Sequence, residues 1–268
     1  MAFEEYQHKD SIGFFHRDGG LPAVQWANGD KEWWVYGHLH RVGGPAVYFT
    51  GGGEKWYFNG KMHREDGPAI TYGNGGKEWC INGKLHRDGG LPAVENADGG
   101  KEWCVNGKFH REDGLPAIEC VDGTKKWYVN GQCHREGGLP AFECANGHKQ
   151  WYVNGKCHRE GGLPAIERIN GDKEWWVNGQ LHREGGLPAV ERVDGTKSWW
   201  LCGRKLSDDQ VITYNLFCQK MQEKKLAKAQ KKIYFWWIQI CYDLEHPSGC
   251  GKRMALKNLE EFETMMKT

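Results

Sequence analysis

The chain has 268 residues, a net charge of +1 and a mean hydropathy of −0.75. That length suits one large domain or two smaller ones, and near-neutrality gives no global drive toward nucleic acid or acidic membranes. With 38 Gly and 14 Trp, most of the chain should be turns and short strands with little helix.

Residues 1–15, MAFEEYQHKDSIGFF, read as an N-terminal cap. They lack the apolar run of a secretion signal, and no stretch of the chain approaches the roughly 18 apolar residues of a membrane span. Together with ten Cys, this predicts free thiols and an intracellular protein that is not secreted.

From His16 onward His-Arg recurs at positions 16, 40, 63, 86, 110, 134, 158 and 182, at spacings of 23 or 24. The two short spacings follow His40 and His63, where GGPA and DGPA lack the Leu of GGLPA. One optional loop or bulge residue accounts for the whole irregularity. Eight of the nine Pro fall in this Pro-Ala step, and a Trp precedes the His by seven residues in seven units. A catalytic site is made once, whereas this constellation is made eight times. Residues 16–206 are therefore expected to be eight stacked hairpin units.

Each unit carries two turn signals. In VENADGGKEWCVNGKFHR, Asp98-Gly99 and Asn106-Gly107 are dipeptides of two-residue type I′ turns. Two such turns would place Cys104 opposite Phe109, Val105 opposite Lys108 and Trp103 opposite His110. They would also set Val94 opposite Trp103, Glu95 opposite Glu102, and Arg111 opposite Glu102. A structural ladder follows, made of Trp33, Trp56, Trp79, Trp103, Trp127, Trp151, Trp175 and Trp199 with His40, His63, His86, His110, His134, His158 and His182. The residue after each Trp is also largely apolar or aromatic (Trp34, Tyr57, Cys80, Cys104, Tyr128, Tyr152, Trp176, Trp200). A ladder of this kind serves either as packing or as a binding surface.

Residues 207–268 form a different segment, a helical cap or docking element. Ser207 reads as an N-cap followed by acids, opening a helix over about 208–243, with a second over 252–267. Lys224, Lys225, Lys228, Lys231 and Lys232 with Trp236 and Trp237 make a candidate binding stretch for a partner or an acidic lipid surface.

Sharper chemistries fit less well. HRDGG at 16–20 and 86–90 belongs to the repeat and has no phosphate loop beside it. A glycan-binding solenoid conflicts with the missing export signal. Matched Cys such as Cys80 and Cys104 would lie about 10 Å or more apart, too far for a disulfide and poor for zinc. No catalytic residue, metal or cofactor is expected, nor any specific nucleic acid.

The stretch WCVNGKFHREDGLPA resembles the MORN-type repeat in a variant form, through its G-x-x-H step at Gly107 to His110 and its hairpin per repeat. It departs from that family in having His-Arg for His-Gly, four residues from Trp to Gly, and the Gly-Pro-Ala step. The repeated version and the tail resemble proteins of giant DNA viruses, Marseillevirus-like ones in particular. The resemblance implies an elongated, single-layer antiparallel β-hairpin solenoid that acts as a non-enzymatic scaffold for protein or lipid contacts. Its setting would be a virion or the host cytoplasm, and its open N-terminal edge could form a homodimer.

Overall fold

The computed structural model describes residues 5–223. Over that range the chain is a succession of antiparallel β-hairpins followed by one helix, Asp208–Glu223. It divides into two compact units. One holds the chain up to Glu160 with Ala165–Ile169, and the other holds Gly161–Pro164 with the chain from Asn170 on.

In the first unit each repeat contributes two very short strands to a common open sheet. Val94–Glu95 pairs with Lys101–Glu102 and, on its other side, with Lys77–Glu78, while Lys101–Glu102 pairs in turn with Ile118–Glu119. The N-terminal segment continues this sheet, with Tyr6–Gln7 pairing to Val24–Gln25. A second hairpin, outside the sheet, surrounds each Asn-Gly. Cys104–Val105 pairs with Lys108–Phe109 in the expected register. Asn106 and Gly107 both have positive φ, 52° and 79°, as a type I′ turn requires.

The Asp98-Gly99 turn differs from the expectation. Here Val94 pairs with Glu102 and Glu95 with Lys101, one residue out of the predicted register. Only Gly99 has positive φ; Asp98 does not, so the turn cannot be type I′. Instead Asn96 N–H donates to Gly100 O and Gly99 N–H to Asn96 O, closing a three-residue loop. The Asp98 carboxylate accepts from Gly100 N–H, an Asx contact that stabilises the wider turn.

That single-residue shift removes Trp103 from any row with Val94. The Trp stands at the junction between sheet and hairpin, where its N–H donates to Ala117 O and its carbonyl accepts from His110 N–H. It also removes the clash of Glu95 with Glu102. The actual cross-strand neighbours alternate in charge, Glu95 with Lys101 and Lys101 with Glu119, which is the favourable arrangement on an open sheet face.

The Ala of every Pro-Ala step, from Ala23 to Ala189, is completely buried. A larger side chain there would displace backbone that accepts the Trp amide. The Leu of the longer connections points outward: Leu21, Leu91, Leu115 and Leu139 are each about half exposed.

In the second unit Val190–Glu191 lies between Lys173–Glu174 and Lys197–Ser198. Ser207 precedes the helix, and its N–H donates to Gln210 Oε1, the returning half of a capping box. Asp208 and Asp209 occupy the first turn, where the helix dipole favours negative charge. The helix lies against the last hairpin, packing Tyr214 and Cys218 on Leu201 and Leu206, with Val211, Phe217 and Trp199 at the border. Burying Leu201 completely is worth about 2 kcal/mol.

Candidate functional site

The Trp, His and Arg that repeat in the sequence form one interlocked unit, seen at Trp103. The Arg111 guanidinium stacks on the Trp103 ring, 3.6 Å from its centroid. The same guanidinium donates from Nη1 to Pro116 O at 3.2 Å and to Glu119 Oε1 at 2.8 Å. Arg111 therefore does not face Glu102, as the predicted register required; its carboxylate comes from the following strand of the sheet. Arg87 with Trp79 and Arg135 with Trp127 repeat the stack, and Arg183 with Trp175 does so in the second unit. Stacking with a partly desolvated cation adds roughly 0.5–2 kcal/mol per pair.

Both ring nitrogens of His110 are engaged. Nδ1 accepts from Asn130 N–H at 3.2 Å, which places the proton on Nε2, facing Glu112 Oε1 at 2.9 Å. The neighbouring Gly131 N–H donates to Phe109 O. Each type I′ turn thus grips the preceding repeat with two consecutive amides, and His63, His86 and His134 accept in the same way from Asn82, Asn106 and Asn154. His40 accepts from Asn59 but has Val42 where other units carry an acid. In the second unit His182 is buried and its pKa is pushed down to about 4, chiefly by desolvation.

Of the remaining ladder residues, Trp33, Trp103, Trp127, Trp151 and Trp175 are buried, whereas Trp56, Trp79 and Trp199 are half-buried, as is His158. With Arg stacked over one face of every ladder ring but that of Trp199, these Trp do not form an open aromatic surface. Lys224, Lys225, Lys228, Lys231, Lys232, Trp236 and Trp237, and the predicted continuation of the helix to 243, lie outside the described residues.

The indole N–H groups distinguish one repeat from the others. Trp33, Trp103, Trp127 and Trp151 donate from Nε1 to Gly20, Gly90, Gly114 and Gly138, each at 2.9 Å. Trp175 and Trp199 do the same to Gly162 and Gly186 in the second unit. The acceptor is always the Gly before the optional Leu. Trp56 follows a connection without that Leu and turns to Glu54 Oε1 at 3.0 Å. Trp79 also follows a Leu-less connection, but Lys77 occupies the position equivalent to Glu54, and the Glu78 carboxylate accepts from Tyr72 Oη at 2.7 Å. That bond is the first cause raising the Tyr72 pKa to about 12. Among the described residues Trp79 Nε1 has no acceptor.

An open cleft of about 490 Å³ lies at this point, lined by Arg64, Asp66, Pro68, Trp79, Ile81 and Arg87 among others. The corresponding cleft one repeat on, which has Gly90 and Leu91 in its lining, measures about 280 Å³. Sequence reasoning located the missing Leu but gave it no consequence; the shortened interval between His63 and His86 was the available signal.

Nucleophilic chemistry finds little support in the thiols. Cys80, Cys104 and Cys133 are each pushed up to about 11, mainly by burial, so the protonated form dominates near neutrality. The eight described cysteines are all free of disulfides. No described helix is long and apolar enough to cross a membrane.

No protein-family model matches the chain, and no curated protein matches it.

Proposed function

We propose that this protein is a non-enzymatic repeat scaffold for protein–protein interaction, a solenoid of MORN-like variant repeats with a viral structural or host-interaction role in a virion or the host cytoplasm. The observation that carries the reading is the engagement of the repeated polar groups. His110, Arg111, Glu112 and Glu119 are spent on Asn130, Trp103, Pro116 and one another, which suits a structural unit and leaves no acid–base pair poised for a substrate. Among the outward, periodic groups are the half-exposed Leu on the connecting loops, and apolar groups repeated along a surface suit contact with another protein.

The test is cross-linking with mass spectrometry on the full chain in its native setting, comparing wild type with Leu115→Ser/Leu139→Ser. The scaffold reading expects cross-links from Lys beside these loops to one partner, lost in the double variant while the melting temperature is unchanged. Partner recovery that ignores the Leu row overturns it.

The competing reading, an acidic lipid surface contacted by Lys224 and its neighbours, gains nothing from the ladder, whose rings are covered by Arg. Salt-sensitive flotation with phosphatidylserine vesicles would favour it instead.

A further inference from the structure

We propose that the cleft between the 64–68 and 86–88 connections is a peptide-binding site. Its occupant is a neutral or basic Gly-Leu-type segment of a partner protein, whose main-chain carbonyl accepts from Trp79 Nε1. The fold itself supplies the template for this ligand. In six other repeats a Gly carbonyl just before Leu meets the equivalent indole at 2.9 Å. At Trp79 the donor is kept and the segment that would satisfy it is missing, because Gly67 runs directly into Pro68.

The shape agrees with this occupant. The cleft is about 490 Å³ against about 280 Å³ where Leu91 is present, and it offers Pro68 and Ile81 as apolar wall. The charges agree as well. Arg64 is held by Asp66 at 2.8 Å and Arg87 by Glu95 at 2.9 Å, so both cations are already paired. Glu65 and Asp88 on the rim lie 3.6 and 3.0 Å from the Nε2 of His63 and His86 but are themselves exposed, and they disfavour an acidic or phosphorylated segment. Trp56 shows that a Leu-less connection alone does not create the site, since Glu54 satisfies that indole internally.

The probe is acetyl-Gly-Gly-Leu-Pro-amide, titrated into the ¹⁵N-labelled full-length chain. The Trp79 indole N–H signal is assigned by its loss in Trp79→Phe. The expected result is a saturable downfield movement of that signal among the 14 indoles. Inserting Leu between Gly67 and Pro68 should move the signal in the absence of peptide and remove the response. Should the insertion fail to fold, Trp79→Phe serves alone, since it keeps a ring beneath Arg87 and loses only the donor. Calorimetry should then find peptide binding about tenfold weaker, the loss of one hydrogen bond. A signal that stays put at millimolar peptide overturns the proposal, as does equal binding by Trp79→Phe or an undiminished response in the insertion variant. Failure here would leave the scaffold reading intact, because that reading rests on the spent polar groups and the outward Leu row.

Discussion

Arg111 lies flat on Trp103, 3.6 Å from the ring centroid, and the same guanidinium holds Glu119 at 2.8 Å. A planar cation does both at once; an ammonium cannot, since it lacks both the flat face and the fork. Arg111→Lys should therefore lower stability by about 1–2 kcal/mol, and Arg111→Ala by about 2–3 kcal/mol. The ion pair contributes the smaller part, because Glu119 is more than a third exposed and the pair is screened. Urea unfolding at low and high salt checks it: most of the loss should survive high salt, because stacking outlasts the ion pair.

Trp103 and Trp79 should respond differently to the same change. Trp103→Phe removes the part-buried 2.9 Å bond to Gly90 O, costing about 1 kcal/mol beyond the loss of ring volume. Trp79→Phe loses no such bond and should cost less by that amount. Trp103→Ala should cost about 3–5 kcal/mol, as for other buried large aromatics. Paired denaturation midpoints of the two Phe variants decide the matter, and equal shifts would contradict the assignment of the indole donors.

His182 should make stability fall with acid. Its pKa is about 4 when folded, against 6.5 for an unperturbed imidazole. Above 6.5 the ring is neutral in both states and the contribution is complete. Between 6.5 and about 4 only the unfolded chain takes up the proton, so stability is lost as pH falls through that window, by on the order of 3 kcal/mol in all. Below about 4 the slope from this residue ends. Thermal melts of wild type and His182→Gln from pH 7 to 4 should show the slope reduced in the variant.

Removing residues 207–268 should uncover Leu201, Leu206 and Trp199, which the helix packs against. Exposing this apolar cluster next to the short hairpin Trp200–Leu201 and Arg204–Lys205 should bring dimerisation or aggregation. Light scattering of the truncated chain against the full chain reads it directly. A truncated chain that stays monomeric would show that the helix is dispensable for solubility.

The sequence by itself determined the period, the seven copies of the Trp-His-Arg unit, the type I′ hairpin at Asn106-Gly107 and the helix start at Ser207. Each of these is a local property, written in residues a few positions apart. The tertiary structure alone decided the second turn. Asn-Gly serves both turn types in this chain: Asn106 adopts positive φ, whereas Asn146 does not and instead accepts from His148 N–H through its side chain. The dipeptide permits either conformation at similar energy, so the choice falls to the contacts each turn makes beyond itself. Asn106 and Gly107 donate their amides to His86 Nδ1 and Leu85 O of the preceding repeat, which fixes the tight turn. From the wider turn followed Trp103 at the corner and Arg111 folded over it toward Glu119; the unaccepted indole N–H of Trp79 follows instead from the connection that runs from Gly67 directly into Pro68. Those positions depend on groups some 8 to 20 residues away, such as Gly90, Ala117 and Glu119, which come together only once neighbouring strands have paired.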